Sequence, residues 1–339
     1  MMVSQSVIVW SFKMQQQVRR FLLFLLIVVV YPTEQSVAQI ADSAILRLAD
    51  PAIIFGQQQY HLYGTVEGKT GEGFVSYHSN DLEYWTKDTG MALKKGEAFG
   101  TANFWAPQVF KLNQQFYMAY VANEQIAIAT STSPSGPFKQ EKLLSLEAPV
   151  KQIDPFVFID EDGKKYLYHV RLTKGNKIFV AELKSDLSAI KPGTLQECIT
   201  ATQPWENTAN SNWPVTEGPS IIKHKKYYYL FYTANDFRNP DYAVGYAVSK
   251  SPLGPWQKFA GNPIISKQHI GVNGPGHGDF FRDKNNQLKY VLHTHQSDST
   301  VGPRRTALVD VRFVPGQPTD IDKVGIVPGS FHFLRATRK

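Results

Sequence analysis

The 339-residue chain has a single cysteine, Cys198, so no internal disulfide can brace it and its stability must come from packing. Its longest purely apolar run, Phe21 to Val30, covers ten residues, about half of what a membrane-spanning helix requires. Apolar residues do not recur with a 3.6-residue period over the ten or more positions that a crossover helix would need, which argues against an α/β fold. Blocks of Lys or Arg are also missing: 36 basic and 29 acidic residues are dispersed, so nucleic acid is not an expected partner.

The one apolar run has its own meaning. Lys13, Arg19 and Arg20 precede it, and Ser36-Val37-Ala38 follows with small residues suited to cleavage, the pattern of a removable export signal. We therefore expect residues 1–38 to be removed, 39–339 to form the folded domain, and the product to be periplasmic or secreted. Without that segment the chain holds 33 basic and 28 acidic residues, a thin excess. A monomer with no membrane span is expected.

Aromatic residues make up 13% of the chain, and 24 Gly and 20 Pro punctuate it, as in folds of many short strands. More telling is an internal repeat. Five segments open with a small or charged residue beside Pro or Gly and continue as an apolar strand: Asp50 to Phe55, Ala106 to Phe110, Asp154 to Phe158, Gly218 to Ile222 and His277 to Phe281. Each is followed by a polar turn and an aromatic strand, such as Tyr227 to Tyr232, and then by a third strand, such as Ala243 to Val248. Two repeats close in nearly the same words, Ser133-Pro134-Ser135-Gly136-Pro137-Phe138 and Ser251-Pro252-Leu253-Gly254-Pro255-Trp256. Successive units start 56, 48, 64 and 59 residues apart, the period and strand count of propeller blades. The expectation is an all-β, single-domain, five-bladed β-propeller.

In a propeller the innermost strands surround one axis, so equivalent positions in different blades face a shared space. Asp50 and Asp154 occupy such equivalent positions, each directly before a proline, and Glu217 sits one residue earlier in its repeat. Asp-Pro alone is an ordinary way to begin a strand. Three acids gathered near one axis are costly unless used, because like charges repel and burial opposes ionisation. Cleaving a glycosidic bond needs such a set: one carboxyl to protonate the leaving oxygen and a second to act on water or on the anomeric carbon.

With Ala49-Asp50-Pro51, Trp105-Ala106-Pro107, Ile153-Asp154-Pro155, Thr216-Glu217-Gly218-Pro219 and Gly276-His277-Gly278 in this order, the chain resembles glycoside hydrolase family 43, five-bladed propellers acting on arabinose- and xylose-containing glycans. The resemblance implies an inverting enzyme with Asp50 as general base, Glu217 as general acid and Asp154 tuning the acid. It also implies an oligosaccharide or polysaccharide substrate, no required cofactor, and a Ca2+ near His277 as in some relatives. The expected activity is α-L-arabinofuranosidase or β-xylosidase; an exo-β-galactanase or a non-catalytic glycan-binding propeller are the alternatives. Trp105, at the second blade's counterpart of the acidic position, His277 and Trp213 are the expected substrate contacts. The family often sets an arginine against a sugar hydroxyl, and in the doublet Arg304-Arg305 we take Arg305 as that residue. Asp160, Glu161 and Asp162 read as a solvated turn, and the loops 207–213 and 235–242 as the specificity surface.

Overall fold

The computed structural model describes residues 44–316 and 320–337; the segment expected to be an export signal lies outside them. Ile45 onward forms one compact unit. It is a five-bladed β-propeller, each blade an antiparallel sheet wound outward from the axis. Blade one holds β1 (Ala49–Gly56), β2 (Gln59–Thr65), β3 (Gly73–Ser79) and β4 (Tyr84–Lys94). Blade two holds β5 (Trp105–Leu112), β6 (Gln115–Ala122) and β7 (Gln125–Ser131). Blade three holds β8 (Gln152–Ile159), β9 (Lys165–Leu172), β10 (Asn176–Glu182) and β11 (Gln196–Ile199). Blade four holds β12 (Thr216–His224), β13 (Tyr227–Ala234), β14 (Ala243–Ser249) and β15 (Gln257–Lys258). Blade five holds β16 (Gly276–Arg282), β17 (Leu288–Thr294), β18 (Arg305–Val314), β19 (Lys323–Ile326) and β20 (His332–Phe333). The single α-helix among the described residues, α1, is four residues long (Lys267–Ile270), and no helix there could cross a membrane.

The aromatic second strands are explained by where they lie. A second strand has its own sheet on both edges and a neighbouring blade on each face, so both sets of alternating side chains are buried and the polar alternation of a one-sided strand disappears. All eight residues of β13, Tyr-Tyr-Tyr-Leu-Phe-Tyr-Thr-Ala, are buried. Apolar clusters fill every gap between consecutive blades, for example Tyr63, Phe74, Met118 and Tyr120 between blades one and two. A further cluster, with Ile53 and Leu62 against Phe281, Val291 and Leu308, joins blade five to blade one.

Ring closure also uses backbone. Leu46 lies between blade five and the C-terminal segment, donating to the Leu334 carbonyl at 2.8 Å and accepting from the Thr306 amide at 2.9 Å. The last strand among the described residues, β21 (Arg335–Ala336), pairs parallel with β4 of blade one. Three short strands, β19, β20 and β21, follow β18. The duplicated Ser-Pro-x-Gly-Pro turns have equivalent jobs: Tyr63 of blade one donates to the Pro134 carbonyl, and Tyr168 of blade three to that of Pro252.

Candidate active site

The catalytic edge is built by one backbone irregularity repeated in every blade. Pairing of the first strand with the second slips between Ala49 and Ala52, Trp105 and Gln108, Ile153 and Phe156, Glu217 and Ser220, and Gly276 and Asp279. Two residues there oppose one on the partner strand, a β-bulge, and the first of the two is left-handed in all five blades. Its φ is 50° at Asp50, 46° at Ala106, 55° at Asp154, 56° at Gly218 and 40° at His277. Proline suits the second bulge position in four blades because that residue owes no hydrogen bond to the ladder. Non-glycine residues in this conformation store strain, of order 1 kcal/mol or more each, and the bulge re-aims their side chains toward the axis.

Asp50 is 9% exposed. Thr65 Oγ1 donates to its Oδ2 at 2.7 Å, and Arg304 Nη1 to its Oδ1 at 3.2 Å. His277 Nδ1 stands 3.3 Å from the same Oδ1, and His293 Nδ1 accepts from the Asp50 amide at 3.1 Å. Burial pushes the carboxyl up, but Arg304, His277 and the Thr65 hydroxyl outweigh it and hold Asp50 well below the usual carboxylate range. His293 itself is fully enclosed; burial and the Arg304 charge keep it neutral.

The other two acids are tuned the opposite way. Burial and the Asp50 charge lift Asp154 to about 7, against the Gly218 amide, which donates to its Oδ2 at 3.1 Å, and against Arg304. Burial and the Asp154 charge likewise lift Glu217 to about 7, partly offset by His277 and by two donors. These are the Tyr242 hydroxyl on Oε1 at 2.8 Å and Asn176 Nδ2 on Oε2 at 2.9 Å. One carboxylate is therefore ionised, while the neighbouring pair Asp154 and Glu217, lifted by burial and by negative charge beside each, holds a proton into the neutral range, the split of roles that acid–base chemistry on one substrate requires.

The three acids line a cleft of about 580 Å3, together with Trp105, His277, Trp213, Asn176, Arg304 and the loop residues Asp236, Phe237 and Arg238. Trp105, His277 and Trp213 all line this cleft. Arg305 does not: its Nε donates to the His295 carbonyl at 3.0 Å and its guanidinium lies 4.3 Å over the Phe333 ring. Arg304 faces the cleft instead, because Arg305 opens β18 and its side chain leaves on the opposite face. Arg304 donates to Glu67 Oε1 at 3.1 Å and sits 4.6 Å over Phe237, so Glu67, Arg304 and Phe237 form a wall beside Asp50.

Within the expected specificity loops, Trp213 and Arg238 reach the cleft. Asn210 and Asn212 do not line it, and nearby Trp205 packs inward against Tyr232. Asp160 is a second correction: it is 8% exposed, accepting from the Tyr228 hydroxyl at 2.5 Å and from Lys223 at 2.9 Å, and so ties blade three to blade four. Near His277, Nδ1 stands 3.3 Å from Asp50 Oδ1 and 3.8 Å from Asp154 Oδ2, and among the described residues no group of three or more His, Cys, Asp or Glu surrounds a common metal position.

Sequence reasoning missed Thr65, Glu67, Asn176, Tyr242 and His293. They come from the same edge of the blades, the ends of second strands and the starts of third strands. The equivalent second-strand ends are Thr65, Val121, Val170, Thr233 and His293. Where that residue is polar, it accepts from the next blade's bulge amide: Ala106 onto Thr65 at 2.9 Å, His277 onto Thr233 at 2.8 Å, Asp50 onto His293. Reading the repeat at that position as well would have exposed His293, the one imidazole in the series.

Comparison with known proteins agrees with this geometry. Residues 44–318 match the model of glycosyl hydrolases family 43. A crystal structure of an endo-1,4-beta-xylanase from Bacteroides thetaiotaomicron VPI-5482 is 40% identical with a TM-score of 0.79, covering 87% of this chain and 98% of that one. A thermostable family-43 glycoside hydrolase is 34% identical with a TM-score of 0.75, over 86% and 95%. The beta-D-galactofuranosidase xynD of Aspergillus niger is 24% identical over 282 residues, 77% of this chain and 78% of that protein. With the family model matching residues 44–318 and a closely matching fold at 40% identity, the chain belongs to glycosyl hydrolases family 43 and is an inverting glycoside hydrolase.

Proposed function

We propose that this enzyme is exported and releases terminal pentose residues from plant-type polysaccharides or oligosaccharides, with α-L-arabinofuranosides its preferred substrates and β-xylosides next. Asp50 serves as general base: ionised, it takes a proton from the water that attacks the anomeric carbon. Glu217 serves as general acid and gives its proton to the leaving oxygen as the glycosidic bond breaks. Asp154 raises and orients Glu217 through its nearby charge. Inversion calls for base and acid about 6.5–9.5 Å apart with a water between base and sugar, and no covalent intermediate forms.

The observation that carries this reading is the opposite tuning of two buried acids, Asp50 held ionised beside Arg304 and Glu217 held protonated to about 7 by burial and Asp154. The wall of Glu67, Arg304 and Phe237 beside Asp50 favours an end-on sugar over a chain that continues past the base. A second reading, internal cleavage of β-1,4-xylan, is favoured by the 40% identical protein described as an endo-1,4-beta-xylanase.

The test is hydrolysis of p-nitrophenyl α-L-arabinofuranoside, β-xyloside and β-galactoside, with product sizing on arabinan and xylan, by the wild type, Asp50→Asn and Glu217→Gln. Release of monosaccharide by the wild type, with a loss of more than ~10³-fold on arabinan or xylan in both variants, fits the proposal. Mixed xylo-oligosaccharides as first products would support the second reading, and undiminished activity in either variant would overturn the assignment of the pair.

A further inference from the structure

Trp213 is 47% exposed at the mouth of the cleft, yet its indole nitrogen is committed: Nε1 donates to Asn176 Oδ1 at 3.0 Å. Asn176 in turn donates from Nδ2 to Glu217 Oε2 at 2.9 Å. Its backbone is pinned on the same strip of chain, with its amide on the Pro214 carbonyl at 2.9 Å and its carbonyl taking the Thr216 hydroxyl at 3.1 Å. The side chain can therefore change little except which way round its amide faces.

That choice is what the indole decides. An indole N–H can only donate, so it holds the amide oxygen toward itself and leaves the NH2 for Glu217. With the amide reversed, its oxygen would face Oε2 and accept the acid's proton, holding it away from the leaving group. We propose that Trp213 is a positioning residue for the proton of Glu217, acting through Asn176: the indole sets the direction of the amide, and the amide keeps Oε2 an acceptor. The proposal rests on reading Glu217 as the general acid, and it gives Trp213 a role beyond contact with sugar.

The other groups facing Glu217 are Asp154 from blade three, His277 from blade five and the Tyr242 hydroxyl from blade four, with Asp50 and Arg304 beyond them. None of these is altered by Trp213→Phe, which keeps an aromatic face and removes only the N–H. A donor on the ionised carboxylate lowers its pKa, as Asn176 does for Glu217. Freeing the amide therefore raises the pKa of Glu217, and the alkaline limb of kcat/KM, set by loss of the acid's proton, moves to higher pH.

The experiment follows the midpoint of Glu217 in two ways for the wild type, Trp213→Phe, Asn176→Ala and the double variant. One is the alkaline limb of kcat/KM. The other is 13C NMR of protein carrying 13C at the glutamate side-chain carboxyls, the Glu217 signal being identified by its loss in Glu217→Gln. We expect Trp213→Phe to raise both midpoints by about 0.5–1 pH unit, with the double variant shifted no further than Asn176→Ala. An unmoved midpoint in Trp213→Phe, or shifts that add in the double variant, would overturn the relay. Because Trp213 is half exposed, its variant carries the test even if Asn176→Ala fails to fold. The NMR midpoint needs no substrate, so an inactive wild type would count against the hydrolytic assignment while leaving the relay to be judged by the titration.

Discussion

Arg304 and Arg305 are adjacent in sequence, but the structure gives them unrelated work, and replacing each by methionine separates the two. At 3.2 Å from Asp50 Oδ1, Arg304 is one of the charges that keep this acid ionised. At an effective dielectric constant near 20, a pair at that distance has a gross Coulomb energy of ~5 kcal/mol, and an aspartate beside an arginine is lowered by about 1–3 pH units. Removing the arginine returns that shift, so the acidic limb of kcat/KM, set by protonation of Asp50, should rise by about 1–3 pH units. His277 and the Thr65 hydroxyl still hold part of the depression. Loss of a charge-assisted donor in the cleft adds ~1.5–3 kcal/mol, or about 10- to 100-fold in kcat/KM at the optimum.

Arg305→Met should behave otherwise. It loses the bond to the His295 carbonyl and the cation–π contact with Phe333, both away from the cleft. Stability should fall by ~1 kcal/mol, with kcat/KM unchanged within about twofold and the acidic limb unmoved. The assay is a kcat/KM profile over pH, with thermal unfolding of each variant as the control for folding. A folded Arg304→Met enzyme with an unmoved acidic limb, or an Arg305→Met enzyme as damaged as its neighbour, would refute this account of the cleft.

Two further outcomes follow from groups near the axis. Asp279 is 9% exposed beneath the acids, and burial raises it from 3.8 to about 7. Its folded pKa lies above its unfolded one, so between about pH 4 and 7 the folded state holds a proton the unfolded state has released; stability is lost over that window, by up to ~4 kcal/mol. In urea unfolding, the stability of Asp279→Asn relative to the wild type should therefore increase from pH 4 to pH 8, and a constant difference would show that Asp279 ionises freely. Because no group of three or more His, Cys, Asp or Glu surrounds a common position among the described residues, prolonged dialysis against EDTA should leave kcat/KM and the melting temperature unchanged; a loss restored by Ca2+ would contradict that expectation.

The propeller was legible because its signals repeat. A turn beside Pro or Gly, an apolar strand and an aromatic strand recur where Ala49–Gly56 pairs with Gln59–Thr65, and again in each later blade. The three acids could be read because they sit on the most regular part of that pattern. Asn176 and Tyr242 could not, since each begins or borders a third strand whose distance from the axis depends on sheet twist and loop length rather than on residue type. The choice between Arg304 and Arg305 was also closed to sequence: it is a question of strand parity, and the loop from His295 to Pro303 that sets the parity carries no periodic signal. Asp160 misled for a different reason. A turn rich in acids is usually solvated, and only the neighbouring blade, through Tyr228 and Lys223, shows that this one carboxylate is shared between two sheets.

The repeated bulge explains how one backbone device yields acids of opposite character. Asp50 and Asp154 stand on the same left-handed residue of their blades, whereas blade four places glycine there. A Cβ at Gly218 would come within 2.9 Å of the His277 ring, so that position is reserved for the imidazole, and the acid must come from the residue before it. From there the longer glutamate makes up the offset, meeting Tyr242 and Asn176, both neutral donors. Among the described residues no Lys or Arg is paired with Glu217, while Arg304 lies against Asp50. The difference in proton affinity thus arises from which neighbouring blade supplies a charge: blade five reaches Asp50 with its arginine, and Glu217 is left with Asp154 beside it. Near-symmetric backbone and asymmetric neighbours together separate the base from the acid.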